Sequence, residues 1–309
     1  MYREILNSFD IYSLPNLDTA VLGALELFKE TPPQEFNTAS VGARPLVIGS
    51  ANACAVGKII FRDTAAIFAE ESDYRKKLKI YPDRDSVVII SSSGGKHAVS
   101  IAEEFAGSDI PVWILTNNQQ APAARHIDPA RVILFPKNRE PYTYNTSTYL
   151  GMILAGSSEM CPCDLEYFSE VARVLPSDIG EYEAFLMTIP GEYAELRYMF
   201  QTKFDELFGG RVTGRVFTTE EVKHAKTVVP YEKELFIHLG EGSELFPEKK
   251  ERVVVPLSDT LGYAGMLALG YFIIGKIQEA HPPYFIESLV AYTKHASELF
   301  GQDISPIVE

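Results

Sequence analysis

Short apolar runs rich in β-branched residues alternate with segments of helical periodicity along the first half of the chain. Each run is four to six residues long, the usual length of a strand, and the segments between them carry apolar residues at helical spacing. Strands that alternate with helices in this way predict a doubly wound parallel α/β sheet. The predicted strands are Pro45–Gly49, Ala66–Ala69, Ser86–Ile90, Val112–Asn117 and Val132–Phe135.

The second half repeats this plan in a shorter form, without a fixed-period sequence repeat. We therefore expect two α/β domains, each built on a parallel sheet with flanking helices. The predicted strands of this half are Ala184–Ile189, Leu235–Leu239 and Arg252–Leu257. The predicted helices are Tyr193–Phe208, Thr260–Ile277 and an amphipathic C-terminal helix over 284–300.

Proline and glycine residues that interrupt the pattern predict the domain boundaries. Residues 1–35 form an N-terminal helical segment, which Pro32 and Pro33 end. The first α/β domain covers 36–160, a charged helical linker covers 161–183, and the second α/β domain covers 184–309.

A Ser/Gly loop follows the predicted strand Ser86–Ile90 and precedes a helical pattern. Its sequence, Ser91-Ser92-Ser93-Gly94-Gly95-Lys96, offers hydroxyl donors, flexible backbone and one positive charge. Unpaired backbone N–H groups and the helix dipole favour anions at such a junction. The loop therefore predicts a phosphate site. Loops of this composition also join strands to helices without binding any ligand, and the residues alone support both interpretations equally.

Small polar residues also follow two other predicted strands. Ser50 and Asn52 come after Pro45–Gly49, and Thr116 and Asn117 end the strand that begins at Val112. Because ligands bind at the carboxyl ends of strands in open parallel sheets, we expect these side chains to converge with the Ser/Gly loop on one pocket.

The composition excludes several classes of function. The 309 residues include 46% hydrophobic and 23% charged residues, which is typical of a globular protein, and the formal net charge is −14. Dispersed acidic residues and the lack of a basic face disfavour binding to nucleic acid or to an anionic membrane. No apolar run is long enough to span a membrane, and the first residues do not resemble a signal peptide.

The three cysteines do not form a disulfide framework, so we expect a cytoplasmic protein. Cys161 and Cys163 lie two positions apart, but no second pair of potential ligands lies nearby in the sequence. We therefore predict ordinary thiols there, with no metal and no cofactor.

Two charged motifs in the second half carry candidate chemistry. Lys203 and Glu206 lie three positions apart on a predicted helix, so both face the same side. A carboxylate there has two oxygens with which to move a proton, although the same spacing is common in surface ion pairs. His224 carries an imidazole, which suits proton transfer, or it has no chemical role.

These motifs resemble those of the double sugar isomerase domain (SIS) family. The family includes the isomerase half of glucosamine-6-phosphate synthase, phosphoglucose/phosphomannose isomerases and deglycases of 6-phosphorylated fructosamines. Its Ser-x-Ser-Gly-x-Thr, Gly-x-Gly-Thr-Ser and Thr-Asn-x-x-x-Ser segments resemble Ser91–Lys96, Gly49–Asn52 and Thr116–Ala121. Its Lys-x-x-Glu and Glu-Leu-Lys-His-Gly motifs are similar to Lys203–Glu206 and Glu221–Ala225.

The resemblance implies two flavodoxin-like SIS subdomains and a role for each matching residue. Glu206 would be the base that moves a proton between C1 and C2, Lys203 would donate to the enediolate oxygen, and His224 would assist ring opening from the other subunit of a homodimer. Lys96 stands where the family usually has threonine, which replaces a hydroxyl with an ammonium. The residues implied to bind the sugar phosphate are Ser50, Asn52, Ser91, Ser92, Ser93, Gly94, Lys96 and Thr116.

We therefore expect an enzyme that acts on a sugar 6-phosphate, either an aldose–ketose isomerase or a fructosamine-6-phosphate deglycase. Synthesis of glucosamine 6-phosphate is not expected, because residue 2 is tyrosine and the chain ends before the family's lysine-bearing tail. The alternative is a regulatory protein that binds sugar phosphate without turnover. A Rossmann-type nucleotide enzyme is the weakest hypothesis, because no Gly-x-Gly-x-x-Gly follows the first strand.

Overall fold

The structure of this chain is a computed structural model that describes residues 1–162, 164–240 and 252–309. The chain divides into two compact units. The first-sheet unit comprises Phe28–Lys137 and Ser147–Cys161, and the second-sheet unit comprises Met1–Leu27, Asn138–Thr146 and Pro162–Glu309. The prediction of ordinary thiols is wrong for Cys161, which is disulfide-bonded, and Cys163 lies outside the described residues.

Helices and strands alternate along the chain. The helices are α1 (Tyr2–Ser8), α2 (Leu17–Glu30), α3 (Asn52–Ile60), α4 (Tyr74–Ile80), α5 (His97–Phe105), α6 (Thr146–Ser157), α7 (Leu165–Val174), α8 (Leu196–Phe208), α9 (Thr219–Val222), α10 (Tyr263–Ala280) and α11 (Tyr284–Phe300). The strands are β1 (Pro45–Gly49), β2 (Ile67–Ala69), β3 (Ser86–Ile90), β4 (Val112–Thr116), β5 (Val132–Leu134), β6 (Glu140–Pro141), β7 (Ala184–Ile189), β8 (Thr213–Thr218), β9 (Glu234–Leu239), β10 (Arg252–Val255) and β11 (Ile307–Val308).

The first sheet confirms the predicted doubly wound parallel architecture. Its strands are all parallel and lie in the order β2-β1-β3-β4-β5, which is the flavodoxin-like order. The chain therefore starts in the middle of the sheet and changes direction between β1 and β3. Ligands of such sheets bind at the carboxyl ends of the strands at this switch point.

Apolar side chains on both faces of the first sheet explain why helices cover both sides. On one face Ile48 and Ile89 pack with Phe105 of α5 in a buried cluster. On the other face α3 lies so close that a Cβ atom on Gly57 would be 2.8 Å from Val47. The sheet is thus buried on both faces, as near-continuous apolar strands require.

The second sheet repeats the same plan with four parallel strands in the order β10-β9-β7-β8. Its two central strands are joined at one point by a buried polar pair, Thr188 and His238, whose side chains share a 2.6 Å hydrogen bond. Burial, and then the positive charge of Arg252, lower the pKa of His238 to about 4, so the imidazole is neutral at physiological pH. This histidine belongs to the core of the sheet.

Two phenylalanines of helix α8 pack directly against glycines of β8 and α10. A Cβ atom on Gly214 of β8 would lie 1.9 Å from Cγ of Phe204, and one on Gly270 of α10 would lie 2.3 Å from the ring of Phe200. Both rings are almost fully buried. The missing side chains of the glycines therefore set how closely α8 approaches the sheet and α10.

Helix α6 begins at Thr146 and not earlier, because Thr143 and Asn145 adopt positive φ angles of 72° and 48° that no right-handed helix accommodates.

Strand β8 was not predicted because its sequence, Thr-Gly-Arg-Val-Phe-Thr, contains a glycine and an arginine. The strand nonetheless alternates between more and less exposed residues, as expected for an edge strand. Between β4 and β5 the chain forms a short 3₁₀ helix over Pro122–His126.

No helix among the described residues is both long and apolar enough to cross a membrane. Within the same residues, no three histidine, cysteine, aspartate or glutamate side chains group closely enough to hold a metal ion.

Candidate functional site

The carboxyl ends of three neighbouring strands bring the predicted phosphate-binding residues into one row. Gly49 pairs with Ile90 and Ile90 with Leu115, so the next residues in register are Ser50, Ser91 and Thr116. Neighbouring strands lie about 4.8 Å apart, which places the three residues side by side at the switch point. The structure therefore brings together the polar strand ends that the sequence singles out.

Hydrogen bonds from β4 hold the Ser/Gly loop by its carbonyl groups. The buried hydroxyl of Thr116 donates to the carbonyl of Ser92 at 2.9 Å, and the backbone N–H of Asn117 donates to the same oxygen at 3.1 Å. The side-chain amide of Asn118 donates to the carbonyl of Ser93 at 2.9 Å. Thr116 is fully buried, so the structure gives its hydroxyl a positioning contact with the loop.

The serine hydroxyls of the loop retain protons with which to donate. Ser91 Oγ accepts a hydrogen bond from the backbone N–H of Gly94 at 3.1 Å, and Ser93 Oγ accepts from that of Gly95 at 3.3 Å. Because each oxygen accepts from the backbone, its own O–H is left to act as a donor. Ser93 is exposed and Ser91 and Ser92 are half-buried, so this loop offers donors to an anion.

Two residues of this region hold a backbone conformation that favours glycine. Ala51 has φ 51° and ψ −117°, Lys96 has φ 48° and ψ −124°, and each directly precedes the first residue of a nine-residue helix, α3 or α5. Side chains in this region are strained by roughly 1–3 kcal/mol. Gly94 also has a positive φ of 62°, and its Cβ would lie 2.4 Å from that of Ala121. Strain of this kind is concentrated at functional sites.

Replacement of Lys96 by glycine should have opposite effects on stability and binding. Relief of the strained backbone should raise the free energy of unfolding by about 1 kcal/mol. Loss of the ammonium should weaken the binding of fructose 6-phosphate about tenfold, the usual worth of a charge-assisted hydrogen bond. Urea unfolding and calorimetric titration measure the two effects.

Ala51→Gly is the matched control, because it relieves the same strain without removing a charge. It should raise stability and leave the affinity for fructose 6-phosphate unchanged. If Lys96→Gly binds the phosphosugar as tightly as the wild type, Lys96 has no part in phosphate binding.

An acidic residue also lies at this edge of the first sheet. The hydroxyl of Ser50 donates to the carboxylate of Glu71, whose other oxygen lies 3.8 Å from Nε2 of His97. Asn52 is 6% exposed and its Oδ1 is buried without a hydrogen-bond partner. Glu71 is a residue of this edge that the sequence analysis does not single out, although it lies only two positions after the end of β2.

In the second-sheet unit, Lys203 and Glu206 form a close ion pair on α8. The side chain of Lys203 is 0% exposed, and its Nζ donates to Glu206 Oε2 at 2.6 Å and to the carbonyl oxygen of Thr143 at 2.5 Å. The same Nζ lies 5.4 Å from the ring centre of Tyr271. A fully buried ammonium needs a charged partner, so this pair differs from a surface pair of the same spacing.

The segment that carries Thr143 is held by the end of the chain. Strand β6 pairs with β11 in antiparallel fashion, and the N–H of Tyr142 donates to the carbonyl of Pro306 at 2.9 Å. Thr143 itself has a φ of 72°, which turns the chain directly after this pairing. The C-terminal residues therefore fix the position of the Thr143 carbonyl oxygen, which accepts the hydrogen bond from Lys203.

Glu206 faces a pocket of about 660 Å³ within the second-sheet unit. Burial, and then Tyr292 and Glu206, raise the pKa of Tyr142, so this tyrosine is protonated and able to donate. The pocket is lined by Tyr142, Thr143, Thr202, Asp205, Glu206, Leu207, Phe208, Gly209, Gly210, Arg211, Tyr284, Phe285, Ser288, Leu289 and Tyr292.

No family model and no curated protein matches this sequence. Solved structures do match. Glucosamine-6-phosphate deaminase from Thermotoga maritima aligns over 85% of this chain and 92% of its own, at 14% identity and a TM-score of 0.63. Tagatose-6-phosphate ketose/aldose isomerase from Escherichia coli aligns over 86% and 89%, at 13% identity and a TM-score of 0.54.

The third match is the C-terminal domain of glucosamine-fructose-6-phosphate aminotransferase from Francisella tularensis, with 93% and 95% of the two chains aligned, 12% identity and a TM-score of 0.51. The fold is that of the SIS proteins. At these identities the likeness establishes the architecture, and the roles of individual residues have to be argued from their own contacts.

His224 does not lie near Glu206 within this chain. Glu206 is in the last turn of α8, which precedes the amino end of β8, whereas His224 follows the carboxyl end of β8. The six residues of β8 span roughly 17 Å. His224 is exposed and does not line the pocket. The structure therefore brings Lys203 and Glu206 together and leaves His224 apart.

Specific contacts nonetheless stabilise the turn that carries His224. Glu221 forms a capping box with Thr218 and an ion pair with Arg197, so its carboxylate is used to hold the turn. Ala225 has a φ of 58°, at the position where the SIS motif has glycine. The backbone thus follows the glycine-type turn although the residue is alanine.

Proposed function

We propose that this protein is a phosphosugar enzyme with the SIS fold, in which Glu206 moves a proton between C1 and C2 of a sugar 6-phosphate through an enediolate. The reaction class is aldose–ketose isomerisation or deglycation, since both begin with the same proton abstraction. The observation that carries the proposal is the buried Lys203 that binds one oxygen of a carboxylate at the edge of a pocket.

The geometry of the pair suits a base. Lys203 binds Oε2 of Glu206 at 2.6 Å, which orients the side chain. Oε1 is then left to take the proton from the sugar and return it to the neighbouring carbon. As negative charge develops on the enediolate oxygen, the ammonium of Lys203 and the hydroxyl of Tyr142 are the nearest candidates to stabilise it.

Phosphate binding is assigned to the Ser/Gly loop of the first-sheet unit. The loop offers the hydroxyls of Ser91 and Ser93 and the ammonium of Lys96 to a phosphoryl group. The carbonyls of Ser92 and Ser93 accept hydrogen bonds from the side chains of Thr116 and Asn118, so they are already used within the protein. We expect a homodimer in which His224 of one copy serves the ring opening of a sugar bound by another, because His224 does not line its own pocket.

The test is proton exchange by the wild-type protein in deuterium oxide. Fructose 6-phosphate should gain deuterium at C1 and yield an aldose, or 6-phosphofructosyl-lysine should gain deuterium and release lysine. Nuclear magnetic resonance measures both the exchange and the product. Absence of exchange with every phosphosugar offered would rule out the enzyme.

A sugar-phosphate-binding protein without turnover is the second candidate. The distance of His224 from Glu206 favours it, because no histidine among the described residues lines the pocket beside the proposed base. Thermal stabilisation by fructose 6-phosphate without any deuterium incorporation would identify this function.

A further inference from the structure

Lys203 does not line the pocket that Glu206 faces. Its side chain is 0% exposed, and it is absent from the pocket wall. Two of its three N–H groups donate to Glu206 and to the carbonyl oxygen of Thr143, and the ring centre of Tyr271 lies 5.4 Å from the ammonium. Lys203 therefore acts on the base from the protein interior. A cation that touches an oxygen of the sugar has to come from the pocket wall.

Arg211 places a positive charge on that wall. Among the described residues that line the pocket, only Arg211 carries a permanent positive charge. It is exposed, and it forms no ion pair with any described residue. Its guanidinium lies 5.0 Å from the ring centre of Tyr284, which also lines the pocket and restrains the long side chain. The charge is therefore held at the pocket without being neutralised.

The acidic residues on the other side of Arg211 are already paired. Arg211 also borders a second cavity, of about 400 Å³, which Glu183 and Glu234 line. Glu234 accepts three hydrogen bonds from Arg215, and Glu183 forms an ion pair with Lys233. These carboxylates thus have cationic partners of their own, and the charge of Arg211 remains available to a ligand.

The turn after α8 places Arg211 on the same pocket as Glu206. The helix ends at Phe208, and Gly209 follows with a φ of 57°, a left-handed conformation that favours glycine. The backbone N–H of Arg211 then donates to the carbonyl of Phe208 at 3.1 Å and closes the turn. The base and the guanidinium are therefore carried by one helix end and the turn that closes it.

Proton transfer between C1 and C2 creates charge that a guanidinium fits. In open-chain fructose 6-phosphate, Glu206 takes a proton from C1, the electrons of that C–H bond form the C1–C2 double bond, and the carbonyl electrons move to the oxygen on C2. Return of a proton from Glu206 to either carbon reverses these steps. In a cis enediolate the two oxygens lie side by side, and the planar fork of an arginine donates to such a pair with two parallel N–H groups.

We propose that Arg211 is a further catalytic residue, whose guanidinium donates to the two enediolate oxygens. This role rests on the proposed function, because it requires proton abstraction by Glu206. Lys203 orients the base, and Arg211 contacts the intermediate. A fixed donor to a developing oxyanion contributes about 100- to 1000-fold to the rate. The bound sugar carries less negative charge on these oxygens before abstraction, so its affinity depends much less on Arg211.

Arg211→Met should lower the rate of deuterium exchange at C1 of fructose 6-phosphate about 100-fold and change the affinity for this sugar no more than a few-fold. Nuclear magnetic resonance measures the exchange, and calorimetric titration measures the affinity. Arg75→Met is the matched control, because Arg75 is also exposed and its guanidinium lies 5.2 Å from the ring centre of Tyr74, in the first-sheet unit. It should exchange at the wild-type rate.

Chemical rescue separates contact with the intermediate from a structural role. Arg211→Ala leaves space for a free guanidinium ion at the pocket wall. Guanidinium chloride, well below denaturing concentrations, should therefore raise the exchange rate of this variant about tenfold, whereas sodium chloride at the same ionic strength should not. If the two salts have the same effect, or if Arg211→Met loses as much affinity as rate, the guanidinium does not act on the intermediate and the inference is wrong.

The role of Arg211 and the proposed function fail in distinguishable ways. If the wild type and Arg211→Met exchange deuterium at the same rate, the phosphosugar enzyme stands and the role of Arg211 is wrong. If Glu206→Gln and Arg211→Met both lose exchange and retain affinity, both proposals stand. If the wild type exchanges no phosphosugar, the proposed reaction is wrong and the role of Arg211 falls with it.

Discussion

Glu206→Gln should lower the rate of deuterium exchange on the phosphosugar by about 1000-fold, within the range typical for loss of a positioned general base. The amide has nearly the same shape as the carboxylate and can still accept a hydrogen bond from Lys203. The free energy of unfolding should also fall, because the buried ammonium loses its charged partner. The Ser/Gly loop is unchanged, so binding of the phosphosugar by the folded protein should remain within a few-fold of the wild type. Exchange rates by nuclear magnetic resonance and affinities by calorimetry separate the two effects.

Glu279→Gln is the matched control for this loss. Lys276 and Glu279 form an ion pair of the same residue types and spacing, on α10, but their side chains are 26% and 55% exposed, whereas those of Lys203 and Glu206 are 0% and 27% exposed. The control should exchange at the wild-type rate. Equal exchange rates of Glu206→Gln and Glu279→Gln would show that the Lys203–Glu206 pair is only a structural contact.

The fold, the row of polar strand ends and the Lys203–Glu206 pair could all be predicted from the sequence, for a simple physical reason. Buried parallel strands need continuous apolar runs, and the polar residues that end them all lie at one edge, so the row of Ser50, Ser91 and Thr116 could be predicted without coordinates. The spacing of Lys203 and Glu206 likewise fixes their common face of α8.

The remaining features depend on contacts that are distant in sequence. The Thr143 carbonyl faces Lys203 only because β6 pairs with β11 more than 160 residues later, and a positive φ at a threonine has no sequence signal. Strand β8 was missed because pairing with β7 and burial of one face outweigh the weak strand propensities of Gly214 and Arg215. Tertiary contacts decided these positions.

Gly214→Ala should destabilise the protein by about 3 kcal/mol, near the upper end of the usual cost of overpacking a core. The added methyl group would meet Cγ of Phe204 at 1.9 Å, and Phe204 is 1% exposed and has little room to retreat. Since Phe204 is adjacent to Lys203 on α8, the displacement should also lower the exchange rate. Urea unfolding measures the first effect and deuterium exchange the second.

A second substitution distinguishes this clash from a general intolerance of alanine at an edge strand. Phe204→Leu in the Gly214→Ala background makes room for the methyl group, so the double variant should recover about 1–2 kcal/mol relative to the sum of the single changes. Gly210→Ala is the control, because its Cβ would meet nothing within 4 Å, and it should change stability by no more than about 1 kcal/mol. If the effects of the changes at Gly214 and Phe204 on the free energy of unfolding are additive, this contact does not set the position of α8. The alignment of Lys203 with Thr143 must then depend on the packing of Phe200 against Gly270.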